Sequence, residues 1–312
     1  MNFLFLMDPL ATVLPHKDTS LALMVGACER GHKVYFLPDG GMTRKGQRTI
    51  FNVVSLIPSF DAANTFSHQQ QCVLTEDEVD VIMIRSDPPF DAEYLLNTWM
   101  LDLLPKRIKV INDPAGIRGA NEKIWPTQFA GIMPPTCISR QRDDIQKFIA
   151  QQGDVVAKPT NGFGGQSVFH IRQGDSNKNV ILETLTKYWT HEIVVQRFVP
   201  EAKKGDKRIL LLNGEPLGAV MRIQAEDDHR NNFFTGGKPH AAQINDRDRV
   251  IIDHLKPHLR TAGIYFAGID ILGDYLTEVN VTSPTGLQEM NRLYNLKLHH
   301  QVIEFVEKMV NT

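Results

Sequence analysis

Two strand patterns divide this chain, and the change between them limits the folds that it can adopt. In the first third, apolar runs typical of buried strands alternate with a stretch of helical spacing: Phe3–Met7, Leu21–Cys28 and Val34–Leu37. From Arg208 onward, strand signals come in pairs separated by hairpin turns such as Asn213-Gly214. Strands that alternate with helices favour a mostly parallel sheet covered by helices on both faces, whereas strands paired through hairpin turns favour antiparallel sheets. We therefore predict an α/β N-terminal part followed by α+β lobes.

Capping residues and apolar periodicity set the predicted element boundaries. Asp18 or Thr19 is expected to cap the first helix, and Gly31 is expected to end it. The further predicted strands are Val79–Ile84, Lys109–Ile111, Val155–Lys158, Arg208–Leu212, Glu215–Ile223, Ile269–Leu272 and Leu276–Val281. The further predicted helices are Glu93–Leu104, Arg142–Gln151 and, at the C-terminus, about Tyr294–Met309.

Composition excludes several classes of protein. The 312 residues are 42% hydrophobic and 22% charged, which is typical of a globular chain of about two domains. The net charge of -2 is evenly mixed along the sequence, so we expect neither a nucleic-acid nor a membrane partner. A buried strand explains the brief apolar start better than a signal peptide does. Three widely spaced cysteines predict no disulfide framework and fit a reducing, cytoplasmic location.

A glycine-rich segment, Lys158–Ser167, follows one predicted strand and precedes another at Ser167–Ile171. Glycines let backbone N–H groups close around phosphate oxygens, although a surface turn uses similar residues. A Rossmann or Walker loop should open a helix, and the Gly-Lys-Ser/Thr ending of a Walker loop is absent. The layout instead favours a glycine-rich hairpin folded over a triphosphate.

A second candidate site is acidic. Glu278 and Asn280 lie two residues apart on a predicted strand, so their side chains share one face. A three-residue turn at 273–275 places Asp270 opposite Glu278 on that face, whereas a two-residue turn at 273–274 places it on the other face. Both registers remain open from the sequence. Oxygen ligands of this kind suit Mg²⁺, although a solvated polar face gives the same pattern.

Five basic residues belong to the presumed nucleotide-binding half, and each alone is more often a surface charge than an anion ligand. They are compatible with phosphate binding. The polar stretch Gln224–Lys238 is either a plain surface loop or a mobile lid that carries one of them to a reaction centre. The five basic residues are Lys123, Lys158, Arg208, Arg222 and Arg230, and the lid would carry Arg230.

Taken together, these segments resemble the prokaryotic glutathione synthetases, a family of the ATP-grasp superfamily, nearly end to end. The Ser86–Asp91 and Thr277–Thr285 blocks are the most family-specific of the matching segments. The others are Met7-Asp8-Pro9, Asp18-Thr19-Ser20, Arg85, Asn112-Asp113-Pro114, Asn121-Glu122-Lys123, the Lys158–Gly165 loop and Gly205-Asp206-Lys207-Arg208.

The resemblance implies an N-terminal α/β domain at 1–120 and an ATP-grasp domain at 121–312, with lobes at about 121–198 and 199–312. It also implies where ATP binds. Lys123 and Lys158 would hold the ATP phosphates, and the glycine loop would cover them. The implied ATP-binding residues are Lys123, Lys158, Gly162, Phe163, Gly164, Gly165, Gln196, Arg197, Phe198, Val199 and Asp206, of which 196–199 form the adenine-contacting linker.

The implied reaction joins γ-glutamylcysteine to glycine through an acyl phosphate, with ATP as co-substrate and ADP and phosphate released. The implied Mg²⁺ ligands, which Mn²⁺ also suits, are Asp270, Glu278 and Asn280. Arg208, Arg222 and Arg230 would act in catalysis. Arg85, Asp87, Ser283, Pro284, Thr285 and again Arg230 would bind the peptide. The family also implies a homo-oligomer, either a dimer or a tetramer.

The chain departs from the family pattern in three places. Phe163 replaces the usual Met, Arg197 and Phe198 replace a smaller polar residue and Tyr, and the 230–234 lid lacks the usual Gly and Ala. Two rival functions remain. A ligase for other substrates on the same scaffold would differ only at the donor and acceptor residues. A non-catalytic ATP-binding protein could lose Asp270, Glu278, Asn280 or Arg222, yet all four are present.

Overall fold

The computed structural model describes residues 1–224 and 237–311, in which three sheets carry the fold. The first sheet has seven strands, β1 (Asn2–Leu6), β2 (Lys33–Leu37), β3 (Met42–Lys45), β4 (Arg48–Pro58), β5 (Phe66–Thr75), β6 (Val81–Ile84) and β7 (Lys109–Ile111). Their order is β3-β4-β2-β1-β6-β7, and β5 pairs with β4. The helices of this region are α1 (Thr19–Glu29), α2 (Ala92–Asp102) and α3 (Pro114–Gly119).

The first sheet has a parallel half, as predicted, and an antiparallel half that the sequence did not reveal. The inner strands confirm the prediction, because β1 is parallel to β2 and β6, and β6 is parallel to β7. Strand β4, however, runs antiparallel to β2, β3 and β5. These three added strands were missed. In β4, buried residues such as Phe51 and Val53 alternate with exposed Asn52, the pattern of a strand with one face on a core.

The first helix begins and ends where its capping residues predict. Asp18 Oδ1 accepts the Leu21 N–H at 2.8 Å, which satisfies one of the free donors at the helix start. Gly31 has φ +85°, a conformation that favours glycine after a helix. Nearly every residue of α1 is buried, and the helix packs between the first sheet and the last helix of the chain.

Two antiparallel sheets follow, as the hairpin signals predict. The four-stranded sheet has the order β10-β9-β11-β8, and the five-stranded sheet has the order β14-β13-β12-β15-β16. Their strands are β8 (Thr136–Ser139), β9 (Val155–Pro159), β10 (Phe169–Ile171), β11 (Ile193–Arg197), β12 (Asp206–Leu212), β13 (Glu215–Ile223), β14 (Lys238–Ala241), β15 (Phe266–Leu272) and β16 (Tyr275–Asn280). The helices beside them are α4 (Arg142–Gln152), α5 (Lys178–Leu185) and α6 (Asp246–Thr261).

The C-terminal segment forms two helices, and the sequence predicts only the second of them. Helix α7 spans Leu287–Tyr294 and α8 spans Leu298–Val310, with Asn295 at φ +51° between them. Asn tolerates this left-handed conformation better than most residues, so it ends α7 in place of a glycine. In the part of the chain that the structure describes, we find no helix long and apolar enough to cross a bilayer.

A close backbone contact between α3 and the turn after α6 supplies a stability prediction. A Cβ built on Gly116 would lie 1.9 Å from the Ala262 carbonyl oxygen, whereas a Cβ on Gly119, in the same helix, meets nothing within 4 Å. We expect Gly116→Ala to lower the free energy of unfolding by at least about 1–3 kcal/mol, because backbone must move to make room. Gly119→Ala should be neutral or stabilise by up to about 1 kcal/mol. Thermal unfolding of the two variants side by side tests this, and equal melting temperatures would contradict it.

Candidate active site

One cavity of about 200 Å³ lies between the four-stranded and five-stranded sheets. Its walls contain most of the residues that the sequence singles out for ATP, metal and catalysis. The structure brings together Lys123, Lys158, Gly162, Phe163, Gly164, Gly165, Gln196, Arg197, Phe198, Val199, Asp206, Arg208, Arg222, Asp270, Glu278 and Asn280, together with Asp87, Ser283 and Thr285.

The glycine-rich segment forms the predicted hairpin, because β9 and β10 are antiparallel and pair Ala157 with Phe169. Gly164 and Gly165 have φ +62° and +74°, values that residues with a Cβ rarely adopt. The Lys123 ammonium donates to the Gly162 carbonyl and so ties the loop to the segment that precedes the four-stranded sheet. The loop therefore closes over the cavity from one side.

The acidic residues lie on one strand face, and a β-bulge resolves the two registers that the sequence leaves open. The turn between β15 and β16 has two residues, since Leu272 pairs with Tyr275. A shift after Asp270 leaves Thr277 as the extra residue, and Asp270 consequently pairs with Glu278. Gly268 pairs with Asn280, whose Nδ2 lies 3.4 Å from Asp270 Oδ2. Three oxygen-bearing side chains thus converge, a donor set that suits Mg²⁺.

Two buried lysines face the carboxylate of Glu278. The Nζ atoms of Lys158 and Lys123 lie 3.2 Å and 3.7 Å from Glu278 Oε1. Burial by itself would raise the pKa of Glu278, but the two ammonium groups lower it below its ordinary value, so the carboxylate stays ionised. Burial lowers the pKa of Lys158, although Glu278 opposes that shift. A phosphate oxygen can replace the Glu278 carboxylate as the partner of each lysine.

Two arginines form a second charged group around Asp270. Arg208 Nη2 lies 2.9 Å from Asp270 Oδ2, and its Nε donates to Oδ1, which makes a bidentate pair. Arg222 Nη2 lies 3.0 Å from the same Oδ2, and Arg222 also pairs with both carboxylate oxygens of Asp206. Although burial favours its neutral form, the two guanidinium groups lower the pKa of Asp270 far below its ordinary value. These ion pairs therefore fix two guanidinium groups beside the acidic face.

The end of β11 and the two residues after it, 196–199, are the segment predicted to contact adenine. Gln196 is buried, and its Nε2 donates to Thr136 Oγ1 at 2.8 Å. The Phe198 ring stacks on His170, with ring centroids 3.9 Å apart and planes 13° apart. The Arg197 guanidinium lies over the Tyr275 ring and donates to its hydroxyl. Arg197 and Phe198, which depart from the family pattern, thus each pack against an aromatic ring. The sequence did not suggest His170 as a partner of Phe198.

A second cavity, of about 350 Å³, adjoins the first and shares Asp87, Pro88, Phe163, Ser283 and Thr285 with it. Arg85 lines only this second cavity, and Pro284 lines neither. Two backbone carbonyls on adjacent residues connect the cavities, because Pro284 accepts from Arg85 Nη2 at 3.0 Å and Thr285 accepts from Arg208 Nη1 at 3.2 Å. The segment 283–285 is therefore the wall between them.

Sequence reasoning missed Glu122, which holds the end of the acidic strand in place. Its Oε1 accepts from Thr282 Oγ1 at 2.9 Å and from the Val281 N–H at 3.1 Å, and its carbonyl accepts the Val279 N–H at 3.0 Å. Burial raises the pKa of Glu122, and Lys123 opposes that shift. The Asn121-Glu122-Lys123 block contained the signal, but only its lysine was given a role.

A group of possible metal ligands lies elsewhere, between α1 and α8, and does not qualify as a metal site. The ligand atoms of Glu29, His299 and His300 lie within 4.8 Å of one another. However, Asn291 Oδ1 accepts the Leu298 N–H, so its amide nitrogen donates to His299 Nδ1 at 2.9 Å. His299 therefore carries its proton on Nε2, the atom that a metal would need.

Comparison with known proteins places this geometry in a family. The N-terminal domain model of prokaryotic glutathione synthetase matches residues 1–118, and the ATP-grasp domain model of the same enzyme matches residues 122–295. The chain belongs to the prokaryotic glutathione synthetase family. It is accordingly an ATP-dependent, ADP-forming ligase of the ATP-grasp type.

Individual members of the glutathione synthetase family match this chain over nearly their full length. The glutathione synthetase of Pseudomonas aeruginosa is 38% identical over 302 residues, which cover 96% of this chain and 95% of that protein. The enzyme of Thermosynechococcus vestitus is 40% identical in an alignment that covers 98% of this chain and 99% of that protein. The sequence resemblance is thus confirmed across both parts of the chain.

Solved structures agree on the fold. D-cycloserine synthetase superposes with a TM-score of 0.69 at 14% identity, over 100% of this chain and 99% of that one. The ATP-grasp ligase PsnB, complexed with a minimal precursor, superposes with a TM-score of 0.65 at 15% identity, over 99% of each chain. At these identities the likeness supports the ATP-grasp fold alone.

Arg230, the predicted lid arginine of this family member, lies outside the described residues.

Proposed function

We propose that this protein makes glutathione, by joining the cysteinyl carboxylate of γ-glutamylcysteine to the amine of glycine at the expense of ATP. The observation that carries the proposal is the pair of adjoining cavities. One has paired cations and carboxylates around a glycine-rich loop, and the other leads away from them toward Arg85. A nucleotide fits the first and a small peptide fits the second.

In this proposal, the phosphates of ATP bind where the buried lysines now face Glu278. Lys123 and Lys158 exchange that carboxylate for phosphate oxygens, and the backbone of Gly162–Gly165 covers them. The adenine lies against the linker Gln196–Val199, beside apolar Val156 and Leu272 in the same cavity wall. Asp206 remains the partner of Arg222 and fixes its guanidinium.

Asp270, Glu278 and Asn280 would hold Mg²⁺, or Mn²⁺ in its place, and the donor set fits because the bulge aligns all three side chains. When bound, such an ion would supply positive charge that offsets the negative charge of the ATP phosphates. The carboxylates of Asp270 and Glu278 are ionised at neutral pH. Burial alone would raise their pKa values, but Arg208 lowers the pKa of Asp270 and the two lysines lower that of Glu278. No proton has to leave before the ion binds.

The reaction would have two steps. A cysteinyl carboxylate oxygen attacks the γ-phosphorus, a new P–O bond forms, and the bond to the β,γ-bridging oxygen breaks to release ADP. The glycine amine then attacks the acyl carbon, loses a proton, and displaces phosphate as the C–O bond breaks. Arg208 and Arg222 lie where negative charge develops in both steps, and their fixed guanidinium groups stabilise it without reorganising.

The peptide would occupy the second cavity, against Arg85, Asp87 and the 283–285 wall. Asp87 is held by its N–H, which donates to Asp8 Oδ2 at 2.8 Å. We further propose that Arg230 contributes to this site from the lid. The domain division at 120/121 with lobes at about 121–198 and 199–312, the cytoplasmic location and the assembly into a dimer or tetramer are also proposals.

Phosphate release from ATP tests the function. We expect full turnover only when Mg²⁺, γ-glutamylcysteine and glycine are all present, because the acyl phosphate needs the first two and its capture needs glycine. Each component is omitted in turn, and each product is identified by mass. If other peptide or amino-acid pairs replaced both substrates, the protein would be a different ligase on this scaffold. If the dipeptide gave no stimulation of any kind, the proposal would be wrong.

A further inference from the structure

The second cavity is lined by two buried charged side chains of opposite sign, each with one atom that has no hydrogen-bond partner among the described residues. Arg85 is 3% exposed; its Nε donates to Ser20 Oγ and its Nη2 to the Pro284 carbonyl, while Nη1 has no hydrogen bond. Glu289 is 5% exposed, and its Oε2 likewise has no hydrogen bond. Burying such atoms is costly unless a ligand completes them.

The fold fixes Glu289 against the N-terminal part of the chain. It lies in the first turn of α7, whose neighbouring Gln288 donates to the Pro15 carbonyl at 3.1 Å and to the Asp18 carbonyl at 2.5 Å. The Leu287 N–H donates to Thr19 Oγ1 at 3.4 Å. Helix α7 is thus docked on the loop that begins α1, and the Glu289 carboxylate cannot turn freely to solvent.

Glu289 differs from the other carboxylates of that cavity wall. Asp8 accepts the Asp87 N–H, Asp18 caps α1, and the Asp87 side chain accepts a hydrogen bond from Ser283. Arg292 Nη2 approaches Glu289 Oε1 no closer than 3.9 Å. Burial raises the pKa of Glu289, since the hydrogen bond from its own backbone N–H and the nearby cations only partly offset the loss of water. A bound cation would therefore stabilise the Glu289 carboxylate more than any other carboxylate of this cavity wall.

The position of the wall gives the bound peptide a direction. Arg208, at the phosphate end, and Arg85, in the second cavity, donate to adjacent carbonyls of residues 285 and 284. Glu289 and Arg85 line the second cavity only. A peptide whose reacting carboxylate lies at Arg208 consequently extends its other end toward Arg85 and Glu289. In γ-glutamylcysteine that end is a free α-ammonium and α-carboxylate.

The geometry points to Glu289 as the residue that binds the α-ammonium of the γ-glutamyl group, with Arg85 Nη1 binding its α-carboxylate. This inference rests on the proposed function and adds to it a specificity determinant. An α-linked glutamyl peptide carries its free ammonium and carboxylate on different carbons, so it cannot present both to this pair at once. The second cavity thereby selects the γ-linkage.

The test compares two substrates in two enzymes. N-glutarylcysteine is γ-glutamylcysteine without the α-amine, and Glu289→Gln keeps the side-chain shape while removing its charge. In the unaltered protein, we expect kcat/KM for N-glutarylcysteine to be about 10- to 100-fold lower than for γ-glutamylcysteine. In E289Q, kcat/KM for γ-glutamylcysteine should fall by about the same factor, mainly through KM, while that for N-glutarylcysteine stays unchanged.

A merely structural role for Glu289 would lower kcat/KM for both substrates equally, and that result would overturn the inference. So would an unaltered protein that uses both substrates equally well. Glu304→Gln, at an exposed position of α8, is the matched control and should change neither value. Failure of the proposed function is distinguishable, because the unaltered protein would then release no phosphate with γ-glutamylcysteine. If E289Q did not fold, Arg85→Lys with N-(4-aminobutanoyl)cysteine, which lacks the α-carboxylate, provides the equivalent comparison.

Discussion

Replacing Glu278 with glutamine should lower kcat for ligation by about 100- to 1,000-fold, because the acidic face then loses one of its two carboxylates. The side chain keeps its shape but no longer balances Lys123 and Lys158, whose ammonium groups both face it. We therefore also expect a modest fall in the free energy of unfolding, of about 1–3 kcal/mol. Steady-state phosphate release and thermal unfolding measure the two effects.

The same variant separates metal binding from charge balance. If Glu278 is a metal ligand, a higher Mg²⁺ concentration should recover part of the lost activity in E278Q and have little effect on the unaltered protein. Glu304→Gln, which removes an exposed carboxylate from α8, should behave normally in both assays. Near-normal turnover of E278Q at low Mg²⁺ would show that the metal ligands are elsewhere.

Replacing Arg222 with methionine should have the largest effect on stability. Its guanidinium lies between Asp206 and Asp270, and all three side chains are buried or nearly so. Removing it leaves two carboxylates without their shared cation, so we expect the free energy of unfolding to fall by about 3–5 kcal/mol and turnover to fall at least about 100-fold. Denaturant unfolding and phosphate release measure these losses.

The pH dependence of this loss has a definite sign. In the unaltered protein the pKa of Asp270 is lowered, so its pairing stabilises the fold above its unfolded pKa and that stability is lost as pH falls. The deficit of R222M should accordingly be largest at neutral pH and should shrink as the pH falls below about 4, the ordinary pKa of aspartate, toward the lowered pKa of Asp270. Arg260→Met breaks an exposed pair with Glu215 and should cost at most about 1 kcal/mol at any pH. If R222M unfolded like this control, the buried group would not be a stabilising unit.

Local patterns in the sequence predicted the elements whose signals are contained within a few residues. Asp18 caps α1 as expected, and the glycine-rich segment joins two antiparallel strands as expected. Strands β3–β5 were missed because they follow one another without helices between them and so break the strand–helix alternation of this region. Tertiary packing decides such pairings. Helix α8 was predicted, whereas α7 was missed, because it has only eight residues and two of its four buried ones, Gln288 and Glu289, are polar.

The site shows the same limit. Residue types and the family blocks located the charged residues, but they could not decide whether Asp270 and Glu278 share a face. The bulge at Thr277 decided it, and a bulge leaves no mark in the strand periodicity. Glu289 was also invisible, because a lone glutamate in a helical pattern normally indicates a solvated surface. Only the docking of α7 buries it.

The balanced charges of the nucleotide cavity also affect how ligands reach it. Its described walls carry five cations, Lys123, Lys158, Arg197, Arg208 and Arg222, and five anions, Asp87, Glu122, Asp206, Asp270 and Glu278. A balanced site projects little long-range field, so it neither draws in polyanions from a distance nor depends strongly on ionic strength for encounter. Free phosphate and other small anions gain little by entering, since each must first displace an internal carboxylate. A magnesium-bound nucleotide brings a cation for those carboxylates and anions for the basic groups, and so exchanges partners on both sides at once.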